Sequence, residues 1–226
     1  MMQKNNFQLG VRLLNSNKLL KAQKLFESMF EQNPQNFDAG FNLALAYRKL
    51  GKLKLALELH QRLHRICPKD LENIVALGNL YAENNQRSKA LAFYRRAMRV
   101  NPNDERIQYN IGITQEELNE QRKALKSYGK ALRLKPTYLE AGLRKVRLLE
   151  ELKRGTLALR VFNTLLGESF SPQLKAELLY EKGCLLARLG KYKEALECLK
   201  SLKRKFLKSE VRKALSGNIR DLEQRT

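Results

Sequence analysis

The 226-residue chain has no tryptophan, two histidines, three cysteines and five prolines. Two histidines leave almost nothing from which to build a general base, a catalytic triad or a metal cluster, so an enzyme is not expected, nor a metal, a cofactor or a small-molecule substrate. Cys67, Cys184 and Cys198 are an odd number with no Cys-x-x-Cys among them. That usage argues against a disulfide framework and fits a reducing compartment. No stretch approaches the roughly 18 apolar residues of a membrane span. The opening Met1-Met2-Gln3-Lys4-Asn5-Asn6 has no apolar run suited to a signal peptide, so a cytoplasmic location is expected. No segment reads as a strand, and no glycine-rich phosphate loop follows one. Positive charge, by contrast, is abundant. Against 23 acidic residues stand 44 lysines and arginines, a net charge of +21, which raises the question of an anionic partner.

The segment 71–104 organises the rest. Ile74, Leu77, Gly78 and Tyr81 recur at helical spacing, and Ala90, Tyr94, Ala97 and Met98 form a second stripe. Between them lies the polar run Glu83-Asn84-Asn85-Gln86-Arg87, and after them Asn101-Pro102-Asn103-Asp104, where proline ends the helix. The unit is two short antiparallel helices. Steps of 34 residues from Pro102 reach Pro68, Pro34 and Pro136, which chance would not arrange. The small residue of the second helix keeps the same step at Ala22, Ala56, Ala90, Ala124 and Ala158, then reaches Ala195 after 37.

This pattern resembles the tetratricopeptide repeat, whose signature of Leu-Gly-x-x-Tyr, then Ala, an aromatic, Ala and Pro is matched by Leu77, Gly78, Tyr81, Ala90, Tyr94, Ala97 and Pro102. Pentatricopeptide repeats step by 35 and lack this proline. The resemblance implies an all-α, right-handed superhelical α-solenoid filling residues 1–226 as one array. Its repeats lie at about 3–36, 37–70, 71–104, 105–138, 139–175 and 176–209. The fifth is the most degenerate, with Lys145 and Val146 in place of Leu-Gly. Ser171-Pro172 reads as an N-cap followed by a first helical turn. Val211, Leu215, Ile219 and Leu222 make one more amphipathic stripe, expected to be a capping helix over about 209–223, because an uncovered array end exposes core.

His60, His64 and Cys67 fall on one predicted helix face at a spacing that could present three metal ligands. His60, however, stands in the slot that Phe26, Tyr94, Tyr128 and Phe162 occupy in other repeats, which assigns it to the core as a flat ring. On that reading, replacing it by Phe preserves or raises stability.

The charge is concentrated in the second helices. Their six segments carry 27 basic and 7 acidic residues, nearly all of the excess. Since the family's first helices line a concave groove and its second helices face outward, the resemblance implies a basic convex surface around a nearly neutral groove. Arg62, Arg96 and Lys130 recur at 34 residues, as do Arg65, Arg99 and Arg133, giving two basic ladders. Such a stripe suits weak, salt-dependent binding to nucleic acid or an anionic membrane surface. The second-helix aromatics Phe93, Tyr94 and Tyr128 lie mostly at core positions, so sequence-specific RNA reading is not expected.

The groove is the stronger expectation. Phe41, Val75, Tyr109 and Leu143 are apolar at a position that borders it in the family, with Leu45 and Ile113 beside them. Asn42 and Asn110 match a position where an asparagine holds the backbone of an extended peptide in groove-binding relatives. Asn79, Asn110 and Arg144 also match three positions of a two-carboxylate clamp, but Val75 and Glu140 stand where its lysines belong. Arg144 and Arg147 could meet an acidic group. The expected function is a non-catalytic scaffold that binds a peptide segment of a protein partner.

Overall fold

The protein is described by a computed structural model covering residues 2–202 and 208–225. Among these residues there are thirteen helices and no strand. Contacts divide the chain into two compact units, residues 1–119 and 120–226. The sequence carries no sign of this division, because its period runs through residues 119 and 120 unbroken.

The first unit holds α1 (Met2–Asn15), α2 (Leu19–Gln32), α3 (Phe37–Lys49), α4 (Leu53–Ile66), α5 (Leu71–Glu83), α6 (Arg87–Val100) and α7 (Glu105–Glu117). Each packs on the next, and α3 and α5 also touch α1 and α7 respectively. The second unit holds α8 (Gln121–Leu134), α9 (Leu139–Glu151), α10 (Gly155–Gly167), α11 (Pro172–Arg188), α12 (Tyr192–Lys200) and α13 (Ser209–Arg225), again packed in succession. The sixth helix pair starts at Pro172, four residues before the boundary expected at 176, because Ser171 accepts a hydrogen bond from Leu174 N at 3.3 Å and caps α11 there. The residues between Leu202 and Lys208, Phe206 included, lie outside those described.

One backbone device recurs at every turn inside a helix pair. Asn17, Gly51, Asn85, Asn119, Lys153 and Gly190 all have φ between 56° and 75°. At Asn85 the amide donates to Ala82 O at 3.0 Å and the next amide, of Gln86, donates to Tyr81 O at 2.8 Å. This is the Schellman arrangement, which satisfies carbonyls at the helix end by placing one residue in the left-handed region. Glycine and asparagine adopt that region readily, whereas lysine adopts it at a cost of about 1–2 kcal/mol. The turns between pairs are closed differently. Asn36, Asp70 and Asp104 accept hydrogen bonds from first-turn amides of α3, α5 and α7, while Tyr138 makes no side-chain cap for α9.

Within the pairs, the motif glycine exists for space. A Cβ at Gly78 would stand 2.5 Å from Tyr94 Cε1, and one at Gly10 would stand 2.5 Å from Phe26 Cζ. The second and fifth pairs solve the same problem differently. There the glycine lies one turn earlier, on the same helix face, at Gly40 and Gly142. A Cβ at Gly40 would meet Leu63 Cδ2, and one at Gly142 would meet Leu165 Cδ1, each at 2.8 Å. The third pair has Ile74 and Ala97 at these two positions, both fully buried. Bulk moved from one helix to the other is a volume-conserving exchange, the kind that close-packed cores tolerate best. The fifth repeat is therefore repacked around Gly142 and Leu165, which leaves room for Val146 where the motif has glycine.

At the far end of the second unit, Leu215 and Leu222 of α13 are buried in one cluster with Ala195, Leu199 and Leu202, with Val211 and Ile219 packed against it. Asn218 Nδ2 donates to Tyr180 Oη at 3.1 Å across this contact.

Candidate peptide-binding face

In the first unit, α3, α5 and α7 are the first helices of three successive pairs, and the expected groove residues lie on them. Asn79, Asn110 and Ile113 line a single cleft of about 250 Å³ together with Arg48, Glu83 and Tyr94. Asn79 Oδ1 accepts two hydrogen bonds there, from Tyr94 Oη at 2.7 Å and from Asn110 Nδ2 at 3.1 Å. Burial, and secondarily the negative charge of Glu83, raise the Tyr94 pKa, so its hydroxyl stays a donor. Thr114 Oγ1 donates to Asn110 O at 2.9 Å, tying the next turn of α7.

The charged residues near this face pair with one another. Arg48 of α3 is bonded to Glu83 of α5, with Nε at 2.9 Å from Oε1. Arg106 reaches Asp104 at 2.7 Å and Glu72 at 3.2 Å, and Arg87 reaches Glu117 at 3.0 Å. Apart from the one to the buried Asp104, such exposed pairs add little stability individually. These contacts hold Arg48, Arg87 and Arg106 against carboxylates beside the cleft.

The remaining expected residues are placed less simply. Asn42 spends its amide on its own helix, donating from Nδ2 to Asp38 O at 2.9 Å, and is not part of the cleft. Phe41 is half-buried, stacked on Phe37 at 6.1 Å between ring centroids and edge-on to His60 at 5.3 Å, so it serves the core as well as the face. Leu45 and Val75 are half-buried at the margins of two core clusters, and Tyr109 is half-buried on α7. Leu143, Arg144 and Arg147 belong to α9 of the second unit. There Leu143 is exposed, and Arg147 lies 3.6 Å from Glu151 on its own helix.

The six ladder cations are all exposed: Arg62 and Arg65 on α4, Arg96 and Arg99 on α6, Lys130 and Arg133 on α8. Arg62 lies over the Phe30 ring, 4.9 Å from its centroid, and Arg96 donates to Pro68 O at 3.1 Å.

His60 is 2% exposed, as expected of the aromatic slot. It is not merely a flat ring, however. Its Nδ1 lies 2.6 Å from Asn73 Oδ1, and Asn73 Nδ2 donates to His60 O at 3.1 Å. Since an amide oxygen can only accept, Nδ1 carries the proton of a neutral imidazole. Burial lowers its pKa, with the Asn73 hydrogen bond opposing. His64 packs edge-on to Phe93 at 5.8 Å. Among the described residues no group of three or more potential ligands could hold a metal ion. The expectation that His60→Phe preserves stability is corrected by this pair, because the fully buried Asn73 would lose its partner. The signal in the sequence was Asn73 itself, polar where the second, fourth and fifth pairs have Ala39, Ile107 and Ala141, although the first pair has Asn5 there too.

Among the described residues no helix is long and apolar enough to cross a membrane. A search of curated proteins finds no match. The chain resembles the crystal structure of MamA at 19% identity and a TM-score of 0.64, over 70% of this chain and 92% of that one. MamA from Desulfovibrio magneticus RS-1 aligns at 15% identity and a TM-score of 0.65, over 72% and 92%. PilF of Pseudomonas aeruginosa aligns at 19% identity and a TM-score of 0.70, over 95% of this chain and 96% of that one. At these identities the likeness concerns the fold. Tetratricopeptide repeat family models match residues 7–70 and, separately, 105–138 and 176–203, and a TPR repeat model matches 78–119. With these matches spread from residue 7 to residue 203 and the helix pairs repeating at the motif's own step, the chain belongs to the tetratricopeptide repeat family.

Proposed function

We propose that the chain is a non-catalytic scaffold that holds an extended peptide segment of a protein partner along α3, α5 and α7. Tetratricopeptide repeats generally serve as protein-binding scaffolds, which supports the broad reading. The observation that carries the finer one is the cleft at Asn79 and Asn110. Asn79 uses its carbonyl oxygen inward, which leaves its NH₂ as donor, and Asn110 uses its NH₂, which leaves its oxygen as acceptor. One donor and one acceptor are what a peptide unit in extended conformation requires. Ile113 supplies an apolar contact beside them. A hydrogen bond of this kind contributes only about 0.5–1.5 kcal/mol net, so affinity has to come from several helix pairs engaged together, in roughly the micromolar range. The 34-residue period that continues through residues 119 and 120 supports reading the repeats as one array.

Peptides selected from a random linear library against the intact chain test this reading. Asn110→Ala combined with Ile113→Glu should weaken the selected peptides about tenfold or more, whereas Arg62→Glu combined with Arg65→Glu should leave them unchanged. The opposite pattern would refute the reading. The exposure of all six ladder cations favours a second one, in which the outer basic face holds nucleic acid or an anionic membrane surface weakly and in a salt-dependent manner.

A further inference from the structure

The fifth repeat departs from the family pattern at Lys145, which replaces the leucine or isoleucine found at Leu9, Leu43, Leu77 and Ile111. A second departure faces it. Gly129 lies in the middle of α8, where the corresponding residues of other second helices are Glu27, Gln61, Arg95 and Asn163. A helix-interior glycine costs about 1 kcal/mol relative to alanine. The glycine leaves room for the end of a facing side chain, since a Cβ at Gly129 would stand 3.2 Å from Lys145 Nζ.

Together the two departures border an open cleft at the surface of the second unit. Two adjoining cavities of about 470 and 490 Å³ share Gly129, Arg133, Lys145 and Arg154. The second adds Arg122, Lys126 and Lys130, and the first adds Arg160. No carboxylate is among the residues lining either cavity. Burial, with the nearby charge of Arg133, lowers the Lys145 pKa, as expected for an ammonium group withdrawn from water among other cations. The apolar wall of the first is formed by leucines of three helices and Val161.

We propose that this opening among α8, α9 and α10 is a binding site for a phosphate group carried on an apolar body of small-molecule size. Convergent lysines and arginines suit a multiply charged anion, because guanidinium groups bond phosphate oxygens in pairs and lysine adds a point charge. The cavity volume lies in the range of small-molecule sites. A concave site walled by leucines gives an apolar body a place that a flat basic surface does not. The inference is independent of the peptide-binding face, which lies in the other unit, and either can fail alone.

Calorimetric titration of the full chain with octyl phosphate, with ATP and with inorganic phosphate tests it. Phosphatidylcholine vesicles carrying phosphatidic acid, run beside them, distinguish a lipid headgroup from a soluble phosphate as the source. Octyl phosphate or ATP should bind with one-to-one stoichiometry and more tightly than inorganic phosphate. Gly129→Leu, which fills the opening and improves helix propensity, and Lys145→Met, which keeps the stem without the charge, should each weaken binding about tenfold or more. Arg62→Glu combined with Arg65→Glu should leave it unchanged. Equal affinity for the wild type and the Gly129→Leu and Lys145→Met variants, or an equal loss in the Arg62/Arg65 control, would overturn the proposal and make the attraction a property of net charge alone.

Discussion

The third and fifth helix pairs have one architecture and few shared residues. The third has the Asp70 cap, Asn85 in the left-handed turn, and Ile74 opposite a small Ala97. The fifth has no side-chain cap at Tyr138, Lys153 in the left-handed turn, and Gly142 opposite a large Leu165. What the repeat conserves physically is the summed volume between its helices and the sign of φ at one turn residue. Residue identity follows only where a single residue type meets both demands. The fifth pair meets them at visible cost, and it also opens the cationic cavity at Lys145.

The exchange of bulk is the strongest way to break this comparison. Leu165 is fully buried, so Leu165→Ala should cost about 2–5 kcal/mol. Gly142→Ile alone should overpack the same place and cost about 1–3 kcal/mol or more. The double variant reproduces the arrangement of the third pair, so its loss in chemical denaturation should fall well below the sum of the single losses. Simple addition would show that the two positions do not share one volume.

A smaller effect separates the second pair from its neighbours. His60→Phe should destabilise by about 1–3 kcal/mol because Asn73 loses its buried partner, and adding Asn73→Ala, the residue type of Ala39 and Ala141, should recover much of it. The same imidazole makes stability depend on pH. Its folded-state pKa is lowered below the unfolded value of about 6.5, so the unfolded chain binds more protons on acidification. Stability is intact above about pH 6.5 and falls as the pH drops toward the folded-state pKa. Melting curves between pH 7.5 and about 5 should show this fall in the wild type and a weaker one in the double variant.

The caps and turns give the smallest changes. Asp70→Ala should cost about 0.5–2 kcal/mol, since its carboxylate accepts from Asn73 N at 2.8 Å. Lys153→Gly should raise stability by roughly 1 kcal/mol by relieving the left-handed strain, while Asn85→Gly should change little. Equal responses at both turns would contradict the contrast.

The helix pairs were legible in the sequence because proline and alanine recur at fixed positions and each helix has a regular apolar stripe. The packing of the fifth pair was not, because the motif places its glycine at Val146 and the chain moved it one turn, to Gly142, where only the facing Leu165 explains it. The left-handed turn residues hid in a similar way, since a lysine at 153 gives no local sign of positive φ. Of the expected site, Asn79, Asn110 and Ile113 share a cleft, while Asn42 is turned to its own helix. Hydrogen bonds such as that from Asn110 to Asn79 join different positions of neighbouring repeats, and spacing alone does not determine which amides meet.

The central claim is that α3, α5 and α7 present a peptide-binding face. Its most direct test is side-chain amide NMR of the intact chain during titration with a library-selected peptide. The account predicts that the Asn79 and Asn110 side-chain amide signals shift and saturate together, while the Arg62, Arg65, Arg96 and Arg99 guanidinium signals stay in place. Saturating shifts at those arginines, with the Asn79 and Asn110 amides unmoved, would contradict it.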